Sequence, residues 1–192
     1  MNNLSLYEGK LISFTALDPE KDAETLSKWS NSPEFVYRNF EGIFRQYTVG
    51  ELKKKLKEDL KKADETRRDY YFAVREKETE KMVALSHIGW ILASHQAAFL
   101  FLDFENEAAV ARFSGEVIQM TLRYAFMELS LHRLSLFIPS YNEAEIDLYE
   151  KAGFLRETQR RDAVFYDGRY YDELVYALLK PEWKKLNVEV VG

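Results

Sequence analysis

The chain has 192 residues, of which 46% are hydrophobic and 15% aromatic, and its formal net charge is -5 at pH 7. This composition excludes a wholly disordered chain, because so many apolar side chains are enough to build a core. The acidic balance argues against general affinity for nucleic acids, since neutralising phosphates requires a surplus of Lys and Arg. With no cysteine, the chain has neither a disulfide framework nor a thiol nucleophile.

The N-terminus lacks the basic and then apolar arrangement of a signal peptide, and the longest apolar run, residues 97–102, is only as long as a strand. Neither His87 nor His95 has a second ligand at metal-binding spacing. We therefore expect a cytoplasmic protein without membrane association or a metal site. No linker divides the sequence, so we expect a single domain over residues 1–192, with flexible ends at 1–9 and 185–192.

The first third of the chain predicts one strand followed by helices. Residues 10–17 have the pattern of a strand, and Asp18-Pro19 is a strong helix start, with aspartate as the cap and proline in the first turn. A second helix is expected after Thr48, where Glu51 completes a capping-box pair. Between these helices, the aromatic residues 34–44 predict a short helix and a loop.

The middle of the chain predicts a sheet. The expected strands are 70–75, 82–93 and 97–104, the first two antiparallel and the third apolar on both faces and therefore central. Residues 106–129 form the longest helical pattern, and a strand with period-2 alternation follows it. Because a strand, a long helix and another strand make a right-handed crossover, the strands at Ala97 and Leu134 should run parallel.

Residues 131–154 have the pattern of a strand, a tight turn and a short helix. Asn142 is the expected N-cap with Glu145 as its partner, and Gly153 supplies a left-handed residue after the helix. Asp167-Gly168 then predicts a two-residue turn between two final strands.

This stretch resembles the distal motif of the GNAT acyltransferases, especially the ribosomal-protein alanine acetyltransferase branch. The matching residues are Leu131, His132, Arg133, Asn142, Tyr149, Glu150, Lys151, Gly153 and Phe154, continuing through Arg160, Gly168, Tyr170, Asp172 and 181–183. The resemblance implies a mixed α/β fold, with a mostly antiparallel central sheet of about six to seven strands, one parallel pair and flanking helices. It also implies that acetyl-CoA enters between the two parallel strands.

In that family, backbone amides of an Arg/Gln-x-x-Gly-x-Gly/Ala loop hold the pyrophosphate at the start of the long central helix. Counting back from residues 124–126 places this loop on residues 109–114, with Arg112 where the first glycine is usual. Two alternatives follow. In the first, Arg112 binds the phosphates. In the second, its side chain crowds the pyrophosphate and the cofactor is lost or changed. The cofactor-binding residues expected under the first alternative are Arg112, Phe113, Ser114, Gly115 and Glu116.

The resemblance implies further roles at the reaction centre. Tyr149 matches the general acid that protonates the departing thiolate, and Asn142 is expected to contact the pantetheine arm as well as to cap its helix. Strand amides near Leu102 and Phe104 would hold the carbonyl oxygen. Asp103 and Glu105 are the local candidates for the general base, and Asp103 is the one chosen. On the acceptor side, four aromatic residues are expected either to line a pocket or to pack: Phe35, Tyr37, Phe40 and Phe44.

The function implied by the resemblance is acetyl-CoA-dependent N-acetyl transfer by direct attack of a primary amine. The acceptor is expected to be a small molecule or a protein N-terminus, and the protein a monomer or homodimer. The altered phosphate loop supports a different hypothesis, in which the chain is a non-catalytic binding module with the same fold.

Overall fold

The computed structural model describes residues 6–38 and 46–189, and its centre is a seven-stranded sheet. The strands are β1 (Ile12–Ala16), β2 (Tyr70–Glu76), β3 (Met82–Leu92), β4 (Ala97–Phe104), β5 (Arg133–Pro139), β6 (Leu155–Tyr166) and β7 (Arg169–Leu179). Their order is β1-β2-β3-β4-β5-β7-β6, and every neighbouring pair is antiparallel except β4 and β5. The predicted fold class, including the parallel pair, is confirmed.

Helices cover both faces of this sheet. They are α1 (Pro19–Ser30), α2 (Pro33–Arg38), α3 (Val49–Thr66), α4 (Glu107–Arg123), α5 (Glu143–Lys151) and α6 (Lys180–Glu189), and a π-helical turn, Tyr124–Glu128, extends α4. The first three helices bury Leu26, Trp29 and Leu52 in a core on one face, and α4 buries Val117 and Ile118 in the larger core on the other. None of the helices in the described ranges is long and apolar enough to cross a membrane.

Side-chain caps fix where the helices begin, as the sequence predicts. Asp18 accepts a hydrogen bond from the N–H of Glu20 at 2.9 Å, and Thr48 forms a reciprocal capping box with Glu51. Asn106 accepts from the N–H of Ala109 at 2.9 Å and so starts α4 immediately after β4.

The predicted flexible ends are described in part. The N–H of Gly9 donates to Ile12 O at 2.9 Å, which folds residues 7–9 back onto β1. At the other end, α6 runs through residues 185–189. Residues 1–5 and 190–192 of the predicted flexible ends lie outside the described residues.

Gly153 ends α5 at a φ of +96°, a conformation that side-chain-bearing residues rarely adopt, and an added Cβ would also collide with the Leu186 side chain. We expect Gly153→Ala to lower the free energy of unfolding by about 1–3 kcal/mol, mainly through backbone strain. The matched control is Gly115→Ala, at an open position inside α4, which should raise it by up to about 1 kcal/mol. Urea denaturation of both variants checks this. Equal stabilities would contradict it.

Candidate functional site

A cleft opens in the sheet because β4 and β5 pair over only three residues. Their register ends at Phe99 opposite Ser135, although β4 continues to Phe104 and β5 to Pro139. A cavity of about 520 Å³ lies at this divergence. It is lined by the end of β4, the end of α2 and the first turns of α4 and α5.

The edge of β4 that faces this cleft carries backbone groups without a strand partner. The N–H of Glu105 donates to Val83 O at 3.0 Å on the β3 side. Because hydrogen-bonding groups alternate along a strand, the N–H groups of Leu102 and Phe104 point to the other side, into the cleft. Arg38 Nη2 donates to Phe104 O at 3.1 Å and occupies one of these freed acceptors.

Asn142, the N-cap of α5, and Tyr149, in the last turn of that helix, both line the cavity. Asn142 is 3% exposed and holds Glu145 from two sides: it accepts from the Glu145 N–H at 3.3 Å and donates to Glu145 Oε2 at 2.7 Å. Tyr149, also 3% exposed, packs edge-on against Phe154 with ring centroids 5.4 Å apart. Its hydroxyl makes no hydrogen bond with any residue that the structure describes.

Asp103 lies on the opposite face of β4 from Leu102. It is directly across from Leu85 of β3, which belongs to the core beneath α1–α3, so its carboxyl faces the side of the sheet that α2 covers. Asp103 thus lies beside the cleft on that face and is not among the described residues that line the cavity, whereas Tyr149 lines it from the α4 side.

Two carboxyl groups and one guanidinium interact electrostatically at the cleft. Burial raises the pKa of Asp103 to about 7, and Arg38 partly opposes this shift. Burial and then the charge of Asp103 raise the pKa of Glu145 to about 8. Burial, followed by these two carboxylates, raises the pKa of Tyr149 well above its usual value. Near neutral pH the two carboxyl groups therefore carry about one negative charge between them.

A tyrosine pair fixes α2 over the cleft and keeps Arg38 in place. Tyr37 Oη donates to Tyr141 O at 3.0 Å, and Tyr141 Oη donates to Tyr37 O at 3.1 Å. Their ring centroids are 4.9 Å apart, and Tyr166 of the last hairpin packs against both rings. These reciprocal bonds join α2 to the turn that precedes α5.

The prediction that residues 109–114 form a phosphate-binding loop is wrong, because the structure has a helix there. Residues 109–114 lie within α4, which begins at Glu107, so the N–H groups of residues 113–116 are positioned to bond inside the helix. The cause is local propensity: Asn106 caps the helix, and three alanines follow with no glycine before position 115. The N–H groups without an intrahelical acceptor are instead those at the first turn, at Glu107 and Ala108.

The side chains predicted to bind the phosphates contact other parts of the protein. Arg112 forms an ion pair with Glu76 at 2.5 Å and approaches Glu78 at 3.5 Å. Phe113 and Ser114 are buried, and Gly115 faces open space. Glu116 accepts hydrogen bonds from the N–H groups of Lys10 and of Leu11, the latter at 2.9 Å. Arg112, Phe113, Ser114 and Glu116 connect α4 to the rest of the fold, and none of the five residues lines the cavity.

Among the aromatic residues expected on the acceptor side, Tyr37 lines the cavity and Phe35 packs in the core against Trp29. Phe40 and Phe44 lie outside the described residues. The sequence reasoning missed Arg38, which no local pattern marks. It also treated Glu145 only as a cap partner, although a carboxylate in the first turn beside an expected cofactor cleft was a usable signal.

The Acetyltransferase (GNAT) domain family matches residues 17–175 of the chain. The chain is 26% identical to the probable N-acetyltransferase YjcK of Bacillus subtilis over 182 residues. This alignment covers 92% of this chain and 98% of YjcK. The SPbeta prophage-derived uncharacterized N-acetyltransferase YokL of the same species is 36% identical over 72 residues, which span 38% of this chain and 41% of YokL.

Two further similarities concern the branch and the fold. The [ribosomal protein uS5]-alanine N-acetyltransferase of Escherichia coli is 21% identical over 115 residues, 59% of each chain. Spermidine N-acetyltransferase from Vibrio cholerae, solved with CoA and spermine, superposes with a TM-score of 0.79 at 22% identity, over 92% of this chain and 99% of that one. At this identity the superposition shows a common fold.

Because Arg112 is paired with Glu76, we expect Arg112→Gln to change the Kd for CoA by less than about twofold. The corresponding change in binding free energy is well under the ~1.4 kcal/mol of a tenfold change. Loss of a half-exposed ion pair should change stability by about 0–1 kcal/mol. Calorimetric titration with CoA measures the first effect. A tenfold loss of affinity would place Arg112 at the phosphates after all.

Proposed function

The chain belongs to the acetyltransferase (GNAT) domain family, and on that premise we propose that it transfers an acetyl group from acetyl-CoA directly to a primary amine. The observation that carries the proposal is the cleft between β4 and β5. Unpaired strand amides, Asn142, Tyr149 and Glu145 line it, and Asp103 lies beside it on the other face of β4. The binding module without catalysis is the weaker hypothesis, because such a module needs no proton-accepting group with a pKa near 7 at the cleft.

The residues of the cleft fit an extended chain containing amide groups. The N–H groups of Leu102 and Phe104 face it, and Arg38 Nε is a buried donor without a hydrogen-bond partner among the described residues. An unpaired strand edge binds an extended amide chain as it would another strand. Asn142 at the start of α5 and the first N–H groups of α4 would hold the rest of acetyl-CoA, which supplies the acetyl group as an activated thioester.

Asp103 would accept the proton that the acceptor amine must lose. A carboxyl group with a pKa of about 7 is half ionised at neutral pH, where a general base is most effective. Glu145, a partly buried residue that lines the cavity, supports this role, because two coupled carboxyl groups share about one negative charge. Both groups also attract a cationic amine, and Arg38 is the only basic residue among the described residues that line the cavity.

Tyr149 would hold a proton at its hydroxyl toward the departing sulfur. Its raised pKa keeps the phenol neutral throughout the neutral range. The same shift makes it a weak acid, so we infer that it stabilises the developing thiolate by donating a hydrogen bond, with proton transfer completed late.

We expect kcat/KM for the free amine to rise with pH through an apparent pKa near 7, because Asp103 accepts a proton only above that value. In Asp103→Asn this limb should vanish and kcat/KM should fall by about 10²–10⁴-fold. CoA release, measured from pH 5.5 to 9 and corrected for the fraction of unprotonated amine, provides the test.

Tyr149→Phe is the matched control, since it should lower kcat and leave the pH limb in place. Full activity in Asp103→Asn, or a limb unchanged by that substitution, would remove Asp103 from the mechanism. Absence of CoA release with every amine would favour the binding module.

A further inference from the structure

Four aromatic rings form a continuous surface on the sheet beside the cleft, which we call the aromatic platform: Trp90, Phe99, Phe101 and Phe137. The Trp90 ring centroid lies 5.3 Å from that of Phe99 and 5.2 Å from that of Phe101. Phe99 stacks on Phe137 at 4.9 Å. Trp90 is 54% exposed and the three phenylalanines are half-buried, so the platform presents ring surface to solvent.

The aromatic platform leads directly to the predicted general base. Phe99, Phe101 and Asp103 alternate along β4 and so share one face of the sheet. Successive members of this row stand about 7 Å apart. That face is opposite the one where Leu102 and Phe104 join the core under α4. An acceptor approaching Asp103 from the platform would therefore meet the cleft from the side opposite the α4 core.

A β-bulge places Trp90 on this face. The register of β3 with β4 shifts between Gly89 and Leu92. Without the shift, Trp90 would follow Ile88 into the core under α4. Instead Ile91 takes that place and Trp90 turns onto the platform. Trp90 has a φ of +54°, which costs a bulky residue about 1–3 kcal/mol. Strain that exposes a tryptophan beside a reaction site suggests a binding role.

Neighbouring side chains hold the platform rigid. His87 stacks on Phe101 at 5.1 Å, Tyr71 stacks on His87 at 4.1 Å, and Asp69 contacts His87 Nε2 at 2.9 Å. Gly89 leaves room for this stack, since a Cβ there would lie 2.5 Å from His87 Nε2. At the far edge, the Arg160 guanidinium lies 5.2 Å above Phe137.

We propose that the aromatic platform binds the stem of the acceptor, which is therefore a primary amine carrying an aromatic or branched apolar group. This assignment rests on the proposed function. The ammonium is drawn to the Asp103–Glu145 carboxyl pair, and the stem covers Phe101 and Trp90. A two-carbon spacer between amine and ring suits the ~7 Å step from Asp103 to Phe101. At the far edge Arg160 covers Phe137 and is already paired with Glu173, so a second ammonium there would lose water without gaining a free carboxylate, and a polyamine is a poorer fit.

The test compares kcat/KM for 2-phenylethylamine, ethylamine and spermidine. We expect the first to exceed the second by about tenfold or more, as for other apolar groups entering a pocket. It should also exceed spermidine. In Trp90→Gly, which relieves the positive φ, and in Phe101→Leu, the preference over ethylamine should fall below about threefold, because kcat/KM for 2-phenylethylamine falls more than kcat/KM for ethylamine. The matched control is Leu92→Ala, 51% exposed on the same strand, which should keep the full preference.

Each other outcome overturns the proposal. No preference for 2-phenylethylamine in the original protein, a preference for spermidine, or an unchanged preference in both variants removes the platform from acceptor binding. If sedimentation shows a dimer that Trp90→Gly dissociates without altering amine preference, the platform is an interface between copies of the chain.

A second measurement separates failure of the proposed acetyl transfer from failure of acceptor binding at the aromatic platform. If no amine is acetylated, saturation-transfer NMR with 2-phenylethylamine still reports on the platform. Ring signals that are present with the original protein and lost with Trp90→Gly support the assignment, and their absence in both contradicts it.

Discussion

The early end of the pairing between β4 and β5 is the constraint on which the site depends. On its other side, β4 pairs with β3, and β5 pairs with β7 along its whole length. The two strands can therefore diverge after Phe99 and Ser135 while both remain in the sheet. The divergence exposes backbone N–H groups on β4 and leaves a cavity into which α4 and α5 direct their first turns. Backbone at a broken ladder is costly to leave unpaired, which makes the cleft a place that favours a hydrogen-bonding ligand.

Charge and aromatic packing then give the two sides of the cleft different properties. Burial raises the pKa of Asp103 and of Glu145, so the pair holds about one proton at neutral pH. The charge of Arg38 partly opposes this rise of both pKa values. The reciprocal hydrogen bonds between Tyr37 and Tyr141 hold that arginine in position. On the same face of β4, the aromatic platform offers apolar surface. One side of the sheet is therefore suited to an amine, and the opening between the strands to an extended acyl carrier.

Local signals in the sequence were sufficient for much of this arrangement. The caps at Asn106 and Asn142 start the two helices that border the cleft, and the alternation in β4 sets which residues share a face. The prediction of a phosphate loop was wrong because it was placed by counting along a family motif. The residues at that place follow a helix cap and are rich in alanine, and they favour a helix. Arg38 and the bulge at Trp90 depend on contacts between distant segments and on a register shift, and neither leaves a pattern in one stretch of sequence.

The central claim is that the opening between β4 and β5 binds acetyl-CoA even though the glycine loop has become helix. Titrating acetyl-CoA while recording the melting temperature tests it most directly. The original protein should be stabilised progressively, by about 2.7 kcal/mol at a hundredfold excess over Kd. Ala144→Trp, which fills the cleft from an exposed position at the start of α5, should show no rise. An unchanged melting temperature of the original protein at millimolar acetyl-CoA, or an equal rise in Ala144→Trp, would contradict the account.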